Sequence, residues 1–178
     1  GVEIEEHGDF LNVFIVSKKH EKNRIVLDFP SVGATENIAM LAALMDCETT
    51  IINAALEPEV FDFLSVLKKM GVSISAIAPA TLKIIGKPSL KPIQHSIISD
   101  RLEAGALLLA AAMSGGDINL PQARVCDMDI FLSKLEEMGH QILVGEGDIG
   151  VRLISCPSPK AVNFKTGVYP GFPSDLQA

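Results

Sequence analysis

Over residues 31–45 (SVGATENIAMLAALM) a small, polar opening turn gives way to a run in which Met, Leu and Ala fall on every side. The spacing predicts a helix over about residues 34–45, and with apolar residues all round it is expected to be buried on all faces. Ser31 or Thr35 suits its cap, Gly33 lets another molecule come close to the backbone, and the unpaired N–H groups of a first turn favour an anion. The commoner meaning of such a turn is a core helix whose polar start meets solvent. A second all-apolar helix is predicted over residues 102–113. An amphipathic helix follows each. The first runs from Pro58 to Met70 on Val60, Phe63, Leu64 and Leu67, with Pro58 suited to its first turn and Gly71 placed as its stop. The second uses Ile130, Leu132, Leu135 and Met138 before Gly139.

Strands fill the gaps. β-rich segments at 49–53 and 117–120 separate the helices, and alternating runs at 72–77 with 82–85 and at 141–144 with 151–154 predict antiparallel hairpins. Residues 24–29 and 94–99 are the expected opening strands. Offsetting the chain by 68 residues aligns Ser31 with Ser99, Ala42 and Ala43 with Ala110 and Ala111, Met45 with Met113, and Ala55 with Ala123. Phe63, Leu64, Ser65 and Leu67 then meet Phe131, Leu132, Ser133 and Leu135, while Met70, Gly71 and Ile74 meet Met138, Gly139 and Ile142. Unrelated sequence of ordinary composition would give about three identities over such a span. The chain therefore repeats a βαβαββ unit.

Gly1-Val2-Glu3-Ile4 matches Gly71-Val72-Ser73-Ile74, a closing hairpin, and Phe172-Pro173-Ser174-Asp175-Leu176-Gln177-Ala178 resembles the start of a unit. Two complete units plus partial units at both ends are expected, as an internal fragment of a longer repeat protein. First helices apolar all round require the units to gather about them, with sheets outside: an inside-out α/β architecture of barrel-like lobes. Residues 86–95 (GKPSLKPIQH) are the expected boundary, giving 1–98 as the C-terminal part of a first lobe and 99–178 as the N-terminal part of a second.

With 48% hydrophobic and 21% charged residues, 178 residues suffice for a sizeable soluble core. A net charge of −7, one Tyr and no Trp argue against a nucleic-acid surface of basic patches and stacking rings. The longest apolar run, residues 104–113, is too short to span a bilayer, and GVEIEEHGD lacks the features of a signal peptide, so a cytoplasmic protein is expected. Cys47, Cys126 and Cys156, like the four histidines, show no metal-ligand spacing, and no metal site or disulfide framework is expected.

Three polar clusters stand at unit starts. Residues 28–36 form the opening turn already described. Asp100, Arg101 and Glu103 suit a dipole-stabilising first turn or an ion pair between lobes. Pro173-Ser174-Asp175 offers an Asp that either caps a helix or acts as a general base.

Pro30-Ser31-Val32-Gly33-Ala34-Thr35-Glu36-Asn37, Asn53-Ala54-Ala55 with Glu57-Pro58-Glu59, Asp100-Arg101-Leu102-Glu103-Ala104-Gly105 and the closing Phe172-to-Ala178 motif together resemble the UDP-N-acetylglucosamine enolpyruvyl transferases. Four motifs in the family's order cover nearly the whole chain. The resemblance implies transfer of the enolpyruvyl group of phosphoenolpyruvate to the 3-hydroxyl of UDP-N-acetylglucosamine. That is the first committed step of peptidoglycan synthesis, on which cell shape and division depend. It implies no cofactor and a monomeric intact enzyme. Asp175 matches the family's aspartate at the sugar hydroxyl. Pro30, Ser31, Val32 and Gly33 match the loop holding the uridine diphosphate, and Asp100 and Arg101 match positions at the lobe junction that serve closure or substrate positioning. Ser174 and Tyr169 depart from the Thr and His common in the family. The family's acid, usually a Cys on a mobile loop, is placed upstream of Gly1 and matches none of the three cysteines here, so the fragment alone is expected to be inactive. The competing readings are a 5-enolpyruvylshikimate-3-phosphate synthase-like transferase, whose basic shikimate-phosphate motifs are not visible, and a non-catalytic repeat scaffold.

Overall fold

The computed structural model of the chain describes residues 2–16 and 22–176. Gly1 of the opening match and Gln177 and Ala178 of the closing motif lie outside those residues. The chain divides into two compact units, one made of Gly1–Leu56 with Val60–His95 and the other of Glu57–Glu59 with Ser96–Ala178.

The first unit opens with a hairpin, β1 (Val2–His7) on β2 (Phe10–Ile15), turned at Gly8, whose φ of 59° is left-handed. A βαβαββ unit follows: β3 (Lys22–Val26), α1 (Val32–Leu44), β4 (Glu48–Ile52), α2 (Pro58–Lys69), β5 (Ser73–Ile77) and β6 (Thr81–Ile85). β3 pairs with β4 in parallel and β6 joins β4 to β5 antiparallel, in the order β3-β4-β6-β5. The alternation read from the sequence is visible in the burial, since Thr49, Ile51, Leu82 and Ile84 all face the core. α2 begins at Pro58, and Gly71 after it has a φ of 109°.

The second unit carries the same order from its first helix onward: α3 (Arg101–Ser114), β7 (Asp117–Arg124), α4 (Asp129–Met138), β8 (Gln141–Val144) and β9 (Ile149–Ile154), with sheet order β7-β9-β8. Gly139, the counterpart of Gly71, has a φ of 103°. Phe131, Leu132 and Leu135 are buried from α4, as Val60, Leu64 and Leu67 are from α2. The α/β class and the alternation of elements are as the sequence predicts.

Two expectations fail. Residues 94–99 form no strand, so the second unit lacks the opening strand of the first. Its would-be neighbour β7 contains Pro121, which has no N–H to donate, and its register breaks between Leu120 and Arg124. Secondly, α1 is not buried all round. Within this chain Thr35, Ala39, Ala42 and Ala43 face the core, whereas Met40, Leu41 and Leu44 are exposed, because the one sheet this unit supplies covers only one side of the helix. α3 likewise buries Ala104, Gly105, Leu108 and Ala111 and exposes Leu107 and Met113.

The buried face of α1 is built from small residues, which lets other backbone approach closely. At α1 the chain leaving β6 does so at Gly86, where a Cβ would overlap the carbonyl oxygens of Ala42 and Met45, and Lys87 N–H donates to Ala43 O at 2.8 Å. Around Gly33, by contrast, a Cβ meets nothing within 4 Å. Gly86→Ala is therefore expected to destabilise the protein by about 1–3 kcal/mol in urea denaturation, with Gly33→Ala within about 0.5 kcal/mol of the parent. Equal losses at the two sites would contradict this packing.

Candidate functional site

The start of α1 is organised around two hydroxyls. Ser31 is the cap: its φ and ψ of −83° and 124° are extended, and its Oγ accepts from Ala34 N–H at 3.2 Å. Thr35 does not cap. Fully buried, it donates from Oγ1 to Ser31 O at 2.8 Å and accepts there from Ala55 N–H at 3.0 Å, tying the helix start to the loop after β4. In that loop Asn53 takes a left-handed φ of 59°, and its side-chain amide donates to Leu27 O at 2.9 Å. The segment 27–35 is thus held from below by residues 53–55. The N–H groups of Val32 and Gly33 lie in the first turn, where a helix offers no acceptor. Gly33 is exposed, with Pro30, Ser31 and Val32 half-buried beside it. The resulting turn presents two backbone donors and the Ser31 hydroxyl beside open space, which suits an anionic group.

Asp100 caps α3, its Oδ1 accepting from Leu102 N–H at 2.7 Å and from Glu103 N–H at 3.2 Å. The carboxylate is engaged with its own helix. Arg101 is the better-buried partner of a forked ion pair, its side chain 10% exposed. Nε donates to Glu59 Oε2 at 3.3 Å and the terminal nitrogen to Oε1 at 3.1 Å. Its guanidinium also lies 5.3 Å from the ring centre of Tyr169. Burial pushes the Tyr169 phenol above its usual pKa, Asp127 adding to the shift and Arg101 opposing it.

Asp175 sits in a single turn of 3-10 helix, Ser174–Leu176, and is exposed. Buried residues hold it on both sides. Phe172 stacks on Phe164 at 4.4 Å and tilts against Phe131 at 5.9 Å, and Leu176 packs on α3. A cavity of about 230 Å³ runs beside this turn, lined by Arg101, Cys126, Asp127, Tyr169, Pro173 and Leu176 among others. The structure thus brings Arg101 and the Asp175 turn together within the second unit. Pro30, Ser31, Val32 and Gly33 belong to the first unit.

Sequence reasoning missed two arrangements. His95 Nε2 donates to Asp62 Oδ1 at 2.9 Å while its Nδ1 accepts from Lys69 Nζ at 2.8 Å, pinning the end of the 86–95 segment to α2. Asp62 and Lys69 share a helix face, but nothing local links them to a histidine 26 residues on. His140, only 4% exposed, accepts from Cys156 N–H at Nδ1. Among the described residues no group of three His, Cys, Asp or Glu side chains is placed to hold a metal ion, and no helix is long and apolar enough to cross a membrane.

Comparison with known proteins gives a consistent neighbourhood. The model of the family described as EPSP synthase (3-phosphoshikimate 1-carboxyvinyltransferase) matches residues 1–178. A UDP-N-acetylglucosamine 1-carboxyvinyltransferase 1 from Caldanaerobacter subterraneus subsp. tengcongensis is 44% identical over 162 residues, which is 91% of this chain and 39% of that protein. A UDP-N-acetylglucosamine 1-carboxyvinyltransferase from Geobacter metallireducens is 40% identical over 97% of this chain and 40% of its own length. The chain thus spans about two fifths of these relatives. Among solved structures, the enolpyruvyl transferase NikO from Streptomyces tendae superposes with a TM-score of 0.82 over 99% of this chain and 44% of that one, at 22% identity, a likeness of fold.

Because Thr35 carries two bonds at 0% exposure, its hydroxyl is the support of the turn and not a ligand contact. Thr35→Val, of nearly the same volume, is expected to cost about 1–3 kcal/mol by orphaning Ala55 N–H. Chemical denaturation measures this, and a loss near zero would show that the link between the α1 start and the 53–55 loop is dispensable.

Proposed function

Since the chain belongs to the EPSP synthase (3-phosphoshikimate 1-carboxyvinyltransferase) family, we propose that the protein containing it transfers the enolpyruvyl group of phosphoenolpyruvate to the 3-hydroxyl of UDP-N-acetylglucosamine, with release of phosphate. One observation carries the choice of acceptor. The relatives at 40–44% identity over more than nine tenths of the chain bear the name of the nucleotide-sugar enzyme and not of the shikimate one. The reaction serves peptidoglycan synthesis and takes place in the cytoplasm.

The chemistry needs a base at the sugar hydroxyl, an acid for the vinyl carbon and positive charge around the phosphate and carboxylate of the donor. Asp175 is the base. Its exposure leaves the carboxylate free for a substrate, while Phe172 and Leu176 fix the turn that carries it. Pro30, Ser31, Val32 and Gly33 receive the uridine diphosphate end, where the Ser31 hydroxyl and the first-turn N–H groups of α1 meet phosphate oxygens. Asp100 and Arg101 serve substrate positioning through structure. Asp100 caps α3, and Arg101 is held by Glu59.

Asp175→Asn in the full-length protein keeps the shape and hydrogen-bonding reach of the side chain but not its basicity. Nucleotide-sugar binding is expected to persist within a few-fold while kcat falls by about 10²–10⁴. Steady-state phosphate release with calorimetric binding measures both, and turnover near that of the parent would remove Asp175 from the role of base.

A further inference from the structure

Resting on that reading of Asp175, we propose that one face of α3, presented by Arg101 and Gly105, is a clamp that sets the catalytic position of the Asp175 turn, making these two residues positioning residues of the reaction. Residues four apart on a helix stand one above the other. Arg101 takes the near end of the segment 169–176 by lying over the Tyr169 ring at 5.3 Å, with its own guanidinium held by both oxygens of Glu59. Gly105 takes the far end. A Cβ there would lie 2.8 Å from Leu176 Cδ2 and 2.9 Å from Cδ1, so any other residue at 105 requires the Leu176 side chain to move from its seat on α3. Leu176 is 6% exposed and directly follows Asp175, leaving a single peptide link between the seat and the carboxylate.

The middle of the segment is closed on itself. Gly167 N–H donates to Phe172 O at 3.0 Å, Gly171 N–H to Val168 O at 2.7 Å and Leu176 N–H to Pro173 O at 3.3 Å. Phe172 is buried between the rings of Phe164 and Phe131. With the interior tied by these bonds and both ends on α3, the clamp carries a displacement at either contact to the exposed Asp175. Glycine at 105 is otherwise a poor choice, since mid-helix glycine costs about 1 kcal/mol relative to alanine. Its presence inside α3 is explained by the approach of Leu176.

The test uses the full-length protein and two readouts: steady-state kinetics with both substrates, and hydrogen exchange at the amides of residues 166–176. In Gly105→Ala the buried Leu176 side chain must leave its seat, and the clamp predicts that the turn moves with it, so kcat is expected to fall by about 10-fold to 100-fold with KM for the nucleotide sugar changed by less than about threefold. Exchange at the Gly167 and Leu176 amides should accelerate. Gly105→Ala with Leu176→Val makes room for the added methyl and should recover both. Arg101→Lys keeps the charge but not the fork or the stacked plane, and should reproduce the loss in kcat and the faster exchange even where Gly105→Ala fails to fold. Unchanged kcat and exchange in the single variants, or a double variant that recovers neither, would overturn the clamp. Should the parent protein show no transfer to UDP-N-acetylglucosamine, the proposed reaction fails. Exchange alone then decides the clamp, upheld if it accelerates in Gly105→Ala or Arg101→Lys and rejected if it does not.

Discussion

Close approach of a neighbouring group, backbone in one unit and a side chain in the other, to small residues on the buried face of the first helix is the constraint on which each unit depends. In the first unit Ala39, Ala42 and Ala43 are at most 1% exposed, and the chain leaves β6 at a glycine because α1 carbonyl oxygens occupy the place of a side chain. In the second, Ala104, Gly105, Leu108 and Ala111 make the equivalent face, and the intruding group is Leu176. Larger residues at these positions would hold the sheet and the loops off the helix. Dispersion falls steeply with distance, so a gap of even a methyl group would loosen the whole unit.

The same closeness places the candidate groups. At α1, Thr35 lies deep enough for its hydroxyl to reach Ala55 N–H, and this bond fixes the turn bearing Ser31, Val32 and Gly33. At α3, Arg101 lies over Tyr169 and Gly105 seats Leu176, at the two ends of the segment that carries Asp175. In both units the candidate residues are exposed or half-buried, and Thr35, Gly105 and Leu176 beside them are buried. Precision comes from the support and access from the surface.

Much of the fold was legible because its signals are local. The Pro58 start, the Gly71 and Gly139 stops and the alternation in the hairpins each rest on a few neighbouring residues, and the 68-residue offset duplicated the evidence. What escaped depends on distant partners. No strand forms at 94–99, because a strand needs a neighbour able to pair, and Pro121 with the bulge in β7 spoils that edge. Apolar residues on every side predict helices buried all round, whereas burial is set by what packs on each face. Met40, Leu41 and Leu44 show that composition alone cannot say which faces are covered. At the candidate site Ser31 was legible as a cap, with Thr35 as the alternative. The true task of Thr35, and the seat of Leu176 on Gly105, are contacts across 20 and 71 residues of chain that no spacing rule reveals.

The central claim is the choice of acceptor, since the family described by the shikimate enzyme and the relatives named for the nucleotide sugar share one fold and one donor chemistry. Calorimetric titration of the full-length protein with UDP-N-acetylglucosamine and, separately, with shikimate 3-phosphate tests it most directly. Saturable binding of the nucleotide sugar without binding of shikimate 3-phosphate is the predicted result. Binding of shikimate 3-phosphate alone, or of neither compound, would contradict the account.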